Sequence, residues 1–451
     1  MESEEQESLL PRSRQPPPPD RFNAIFIVFY FIGIGSLLPW NFFITANKYF
    51  QYKLRNTSLP WDDGFFKTDL QFNFESSITI ASTVPNVLFN VITAIMAARI
   101  PLKGRMVFSN VTVVVLFMIT LALVKIDTDH WQTIFYSITL LSVVILSAAS
   151  SVYMASMFGL GGMFPIKYMQ AVMSGQAVGG VFAAVANILS IALSGSDERD
   201  SAFVFFTIAT VTSLIALVGY LTLYTNDFSR YYIYYQEEQV ISVSPPEESE
   251  EDDTVVLNKE SSVQNTNTDT RSPYRVVFEK IWLDSLGAGS VFFVSLTCFP
   301  ALASAIVSTM DVSSVWKDQY FSAVVCFLLF NMGDWCGRAT AGAIRWPNEH
   351  HRKKILLVCA IRIVYIPLII MCNIQPRKNE NWTVFKSDFA PLVFILTLGL
   401  TNGYFSTLCM MYGPKRVENR YAEYAGTFMS VALTVGLAAG SLLGFFLIRI
   451  V

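Results

Sequence analysis

Three observations predict an all-α polytopic membrane protein. Hydrophobic residues make up 53% of the 451 and Phe alone reaches 36, while charged residues fall to 15% against ~25% in soluble proteins. Apolar runs of about 20 residues, the length a helix needs to cross a bilayer, recur between polar breaks. Two charged residues, Asp334 and Arg338, stand four apart inside one such run. The net charge of -3 and the clustering of acidic residues in a few soluble stretches argue against a nucleic-acid partner.

Eleven runs qualify as spans: 22–45, 75–98, 105–125, 132–157, 168–194, 202–224, 279–306, 319–344, 354–373, 388–412 and 423–449. The tail 1–21 opens with the acidic MESEEQESLL and a proline run instead of a basic n-region, so it predicts no cleavable signal and a cytosolic N-terminus. From that start the short loops bearing Arg99, Lys103 and Arg105, then Arg345, Arg352, Lys353 and Lys354, then Lys415, Arg416 and Arg420 fall on the cytosolic side. The positive-inside rule agrees, and an odd number of spans puts the C-terminus outside.

In the first span, Pro39 frees a backbone carbonyl, and Trp40 and Asn41 offer a ring and an amide at the break. The alternative for Trp40 is an interfacial belt. In the fifth span, Gly175, Gly179 and Gly180 predict close helix packing, while Gln176 and Asn187 are either cavity groups or interhelical glue. A 22–224 bundle of six spans is divided from a 278–451 bundle of five by the stretch 225–277. Its PPEESEEDD and NTNTDT runs cannot bury a core and predict disorder.

The eighth span carries the chemistry. A carboxylate and a guanidinium at helix centre each cost ~2.5 to 3.5 kcal/mol on insertion scales, so they must face a polar cavity or one another. A spacing of four puts Asp334 and Arg338 on one helix face. The competing reading is a structural ion pair with Arg338 reaching the interface. All six cysteines, Cys298, Cys326, Cys336, Cys359, Cys372 and Cys409, fall in or beside apolar runs and predict small core residues, not disulfides. Of the Asn-x-Ser/Thr sequons, Asn56 and Asn381 fall in outer loops and are candidate glycosylation sites; Asn110 lies inside a span. The three histidines, His130, His350 and His351, are in loops, so no His-based catalytic or metal set is evident; neither an enzyme, a cofactor nor a receptor domain is predicted.

The motifs PWNFF at 39–43, MSGQ at 173–176, Asn331-x-x-Asp334-x-x-x-Arg338, CNIQPR at 372–377, TNGY at 401–404 and YGPK at 412–415 resemble those of the equilibrative nucleoside transporters. The resemblance runs through all eleven spans in order. It implies a fold similar to the major facilitator superfamily: six-helix and five-helix bundles around a central cavity, alternating between two faces. It implies purine and pyrimidine nucleosides as substrates, with nucleobases an open alternative. Asp334 and Arg338 would meet ribose and base, and Leu37, Trp40 and Leu437 would line the cavity, with Asn331 heading the charged motif. Where plasma-membrane members carry a purine-reading glutamine this chain has Met154, with Ser150 one turn earlier, which leaves base selectivity open.

The tail Glu5-Gln-Glu-Ser-Leu9-Leu10 matches an acidic dileucine signal for a clathrin adaptor. With ASTVP at 81–85 and LVKIDT at 123–128, it makes the chain resemble the lysosomal member, the plasma membrane being the alternative. The resemblance then implies monomeric, facilitative export of nucleosides from lysosome to cytosol. Acid pH is expected to favour transport without obligatory proton coupling, and because no histidine lies in a span the titrating group would be a carboxylate, Glu423 being a better candidate than Asp334. The remaining alternatives are a carrier of another small polar solute and a proton-coupled nucleoside carrier.

Overall fold

The computed structural model describes residues 17–57, 68–192, 198–241, 273–310, 316–375 and 382–450. Among the described residues the chain is helical, and its one β pairing is an isolated bridge between Ile306 and Ile374. In chain order the helices are α1 (Ala24–Thr45), α2 (Asn47–Lys53), α3 (Asp69–Met96), α4 (Leu102–Lys125), α5 (Gln132–Met163), α6 (Ile166–Ala192), α7 (Glu198–Thr222) and α8 (Asp227–Ile241). They continue as α9 (Pro273–Cys298), α10 (Ala301–Ser304), α11 (Leu329–Ala343), α12 (Arg352–Ile361), α13 (Tyr365–Ile370), α14 (Phe389–Tyr412) and α15 (Ala422–Ile450).

Eight helical stretches among the described residues are long and apolar enough to cross a membrane. Three predicted spans are not among these eight. The described first span yields only a shorter apolar stretch, Arg21–Leu37. The eighth enters through π-helical turns, Trp316–Tyr320 and Ser322–Leu328, before α11, whose Asn331, Asp334 and Arg338 dilute its hydropathy. The ninth is broken between α12 and α13 by a 3₁₀ turn, Arg362–Val364.

Two expectations are corrected. Helix α8 occupies part of the stretch 225–277 that composition predicts to be disordered, while residues 242–272 lie outside the described residues. Its Phe228 and Tyr232 rings pack 6.3 and 5.2 Å from Phe164, and Phe228 also lies 5.3 Å from Tyr168, so aromatic burial holds a helix that net polarity conceals. Five cysteines are buried as small core residues, but Cys336 is exposed on the outer surface of α11.

Each helix follows from local signals. Thr68 and Gln71 form a reciprocal cap at the start of α3: Gln71 N donates to Thr68 Oγ1 (3.2 Å) and Thr68 N to Gln71 Oε1 (2.8 Å). Helix α4 begins just after Pro101, where a missing N–H costs nothing. Small residues then set which helices touch. A side chain at Gly175 would overlap the Tyr30 carbonyl, so α6 lies directly against α1. Gly333 and Gly337 on α11 meet Gly399 and Gly403 on α14 at the four-residue spacing that lets backbones approach, and a β-carbon at Gly403 would overlap the Asp334 carbonyl. That contact brings α14 to the charged pair.

Helices α1 to α7 form one half and α9 to α15 the other. Each half has its own apolar core, centred on Phe50, Phe117 and Phe206 in the first and on Leu302, Val325 and Leu398 in the second. A third core, including Phe158, Met173, Leu408 and Met429, joins the halves at the end where the chain begins. There Gly162 of α5 admits the Ala422 carbonyl so closely that a β-carbon would lie 2.5 Å from it. Farther along the helices the halves also meet at Gly180 and Asn331, on either side of a cavity.

Candidate substrate site

Between the halves lies a cavity of about 620 Å³. Its walls reach Ala46, Tyr49, Ser201, Phe205 and Pro300, all at the end of the helices far from the joining core. The lining is mostly apolar, with a few convergent polar groups, which is the composition of a small-molecule site. Leu37, Met154, Leu437, Asn331, Asp334 and Arg338 all line it, and so does Gly180. Gln176, Asn187 and Ser150 line it as well. Pro39 and Trp40 are in α1, but their side chains lie outside the described residues. Glu5, Leu9, Leu10 and Asn381 lie outside them too; Asn56 is exposed beyond α2, Gly175 is buried in a helix contact, and Gly179 is buried.

The charged pair is nearly dry: the Asp334 and Arg338 side chains are 7% and 5% exposed, with Arg338 Nε donating to Asp334 Oδ2 at 2.9 Å. Such burial costs several kcal/mol per ion unless further hydrogen bonds complete each group. Here they do. A second Arg338 nitrogen donates to the Met173 carbonyl (2.9 Å) and to Gln176 Oε1 (3.3 Å), both on α6. Gln176 Nε2 donates in turn to Ser36 Oγ on α1 (3.1 Å). Asp334 Oδ1 accepts from Asn402 Nδ2 on α14 (2.7 Å). Gln176 is therefore both a cavity group and interhelical glue, resolving the two readings its sequence context allows.

Each carboxylate oxygen accepts one of these bonds and retains further acceptor capacity. The guanidinium, with five donors, keeps some for a solute. A neutral molecule with vicinal hydroxyls and a heteroaromatic ring fits that polarity. For the ring, the cavity offers Phe299 and Phe330, stacked with centroids 4.0 Å apart and planes 8° from parallel. Asn331 stands at the junction of the π-helical turn with α11, its amide donating to the Phe327 carbonyl (2.8 Å). Gly180 leaves room for it, since a β-carbon there would overlap Asn331 Oδ1.

Sequence patterns missed four contributors. Asn402 sits inside the TNGY motif without an assigned role, Asn86 looks like an ordinary residue of α3, and Ser295 is one of many serines. Arg362 is the clearest omission, because an arginine in the apolar run IRIVYIPLII carries its own insertion cost.

The nucleoside transporter family matches residues 140–449 of this chain. The chain belongs to that family. It is 35% identical over 438 residues to equilibrative nucleoside transporter 3 of Rattus norvegicus, covering 94% of this chain and 88% of the relative. It is 34% identical over 455 residues to equilibrative nucleoside transporter 1 of Mus musculus (95% and 98%), and 34% over 451 residues to type 2 of Rattus norvegicus (95% and 97%). These relatives are carriers, and this chain is a carrier and not an enzyme. Among solved structures, the proton:xylose symporter XylE of the major facilitator superfamily superimposes with a TM-score of 0.61 over 93% of this chain and 87% of that one. At 9% identity the likeness is one of fold.

The geometry predicts that Asp334→Asn and Arg338→Ala each lower uptake per folded molecule by about 10- to 100-fold, the range of a hydrogen bond to a charged group. Uptake of labelled uridine, normalised to monodisperse protein, measures this; wild-type uptake by either variant contradicts it.

Proposed function

We propose that the protein is an equilibrative nucleoside carrier working by alternating access, with eleven spans in bundles of six and five around the Asp334–Arg338 site. The observation that carries this reading is a buried, hydrogen-bonded ion pair with spare donors and acceptors, lining a central cavity in a chain of this family. Charge placed at that depth is expensive, and lining a solute pathway is its usual use.

The closed end supports alternating access. Arg105 of α4 bonds Glu423 at the start of α15, one from each half. Lys415 Nζ donates to the Phe164 carbonyl (2.8 Å), and Asn90 of α3 donates to Ser430 and Thr434 of α15 (3.1 and 3.0 Å). Opening this end requires all three layers to part while the far end closes, a rocking of one bundle against the other. With a cytosolic N-terminus, the present state faces outward.

The equilibrative reading gains support from the cavity itself. Asp334 is the only carboxylate among the described lining residues, and its two oxygens accept hydrogen bonds from Arg338 and Asn402. Glu423, which the sequence offers as a titrating group, is bonded to Arg105 at the closed end instead. Purified protein in liposomes should therefore equilibrate uridine down its gradient. With an imposed pH gradient and no uridine gradient there should be no net accumulation; concentrative uptake contradicts the equilibrative reading.

We further propose lysosomal residence with export to the cytosol, on the strength of the acidic dileucine segment at Glu5, Leu9 and Leu10. Replacing both leucines with alanine should move the protein to the cell surface, as followed by surface biotinylation. Unchanged residence in lysosomes places the signal elsewhere.

A further inference from the structure

Arg362 lies behind the cavity, not on it, at the break between α12 and α13, and is 3% exposed. Its guanidinium donates to the Val291 carbonyl (2.7 Å), Ser295 Oγ (2.8 Å), Thr401 Oγ1 (3.1 Å) and the Leu398 carbonyl (3.2 Å). None of these partners is a carboxylate. A buried cation solvated only by neutral oxygens is a costly arrangement, and cheaper residues would serve if helix packing were its whole purpose.

Its bonds carry direction. A guanidinium has donors and no acceptor, so Ser295 Oγ must accept from it. The single hydroxyl proton of Ser295 is then free to donate to Asn402 Oδ1, 2.7 Å away. With its oxygen so engaged, the Asn402 amide has one orientation left, and its Nδ2 points at Asp334 Oδ1 (2.7 Å). An asparagine amide alone fits either way round; this chain of bonds removes the choice. The order Arg362, Ser295, Asn402, Asp334 is thus a one-way series of donors ending on the carboxylate. The opposite oxygen, Oδ2, is taken by Arg338 Nε.

We propose that Arg362 is a positioning residue of the solute site: acting through Ser295 and Asn402, it fixes the donor that Asp334 receives from α14. It thereby fixes which lone pairs of Asp334 remain for the hydroxyls of the solute. The proposal rests on the nucleoside reading, in which those hydroxyls belong to a ribose. A merely structural arginine, tying α9 and α14 to the α12–α13 break, would affect every substrate alike. A positioning arginine affects those with vicinal hydroxyls.

The experiment uses full-length protein in proteoliposomes and measures KM and maximal rate for uridine and for 2′,3′-dideoxyuridine, which lacks the two vicinal ribose hydroxyls and keeps the 5′-hydroxyl. The variants are Ser295→Ala, Ser295→Thr, Arg362→Gln and the Ser295→Ala/Arg362→Gln pair. Ser295→Ala should raise the uridine KM about tenfold while changing that for dideoxyuridine by less than about twofold. Ser295→Thr, which keeps the hydroxyl, should restore the wild-type value. The double variant should be no worse than Arg362→Gln, because both changes cut the same series. An unchanged uridine KM in Ser295→Ala, equal losses for the two substrates, or multiplicative losses in the double variant overturns the proposal. Should Arg362→Gln fail to fold, the two Ser295 variants decide alone. Wild-type protein that carries no uridine overturns the nucleoside reading together with this inference; wild-type uridine transport with equal losses overturns this inference only.

Discussion

The burial of Asp334 and Arg338 is the constraint on which the rest of this molecule depends. Taking two ions out of water costs several kcal/mol each, and their mutual attraction repays this only when the remaining donors and acceptors are also bonded. That requirement reaches across the fold. Helix α6 must approach to offer the Met173 carbonyl and Gln176, and α14 must approach to offer Asn402. Glycines at 333, 337, 399 and 403 permit the second approach, and Gly175 keeps α1 against α6 so that Ser36 can orient Gln176. Packing and polarity are therefore one problem here, since the glycine seams exist where the ion pair needs neighbours.

The same pair links the two halves. Asp334 and Arg338 belong to the second half, whereas Met173 and Gln176 belong to the first, so the site straddles the surface where the halves meet. At the end where the chain begins, the halves are fastened by a charged pair, a lysine on helix-end carbonyls and an asparagine on two hydroxyls. These polar contacts sit beside the apolar core that joins the halves at this end, and their groups have alternative partners in water when the contacts part. A two-state element biased by what occupies the cavity is what alternating access requires.

Much of this was legible in the sequence because bilayer physics is strict. Composition and run length alone announce helices, and the cost of intramembrane charge singles out Asp334 and Arg338 before any fold is known. What escaped depended on three-dimensional proximity. Asn402 and Ser295 are ordinary polar residues until α14 and α9 bring them into one series. Arg362 obeyed the same rule as Asp334 yet lies in a run whose break between α12 and α13 no period in the sequence marks. Helix α8 was hidden because the average polarity of residues 225–277 masks Phe228 and Tyr232, which find partners only in the folded protein.

The central claim is that Asp334 and Arg338 hold the solute rather than only each other. A structure of the full-length protein with bound uridine tests it most directly. Density is expected in the central cavity with ribose hydroxyls within hydrogen-bond distance of the Asp334 carboxylate and the base edge facing Arg338. Density seated elsewhere in the cavity, with no uridine atom in reach of either side chain, would contradict it.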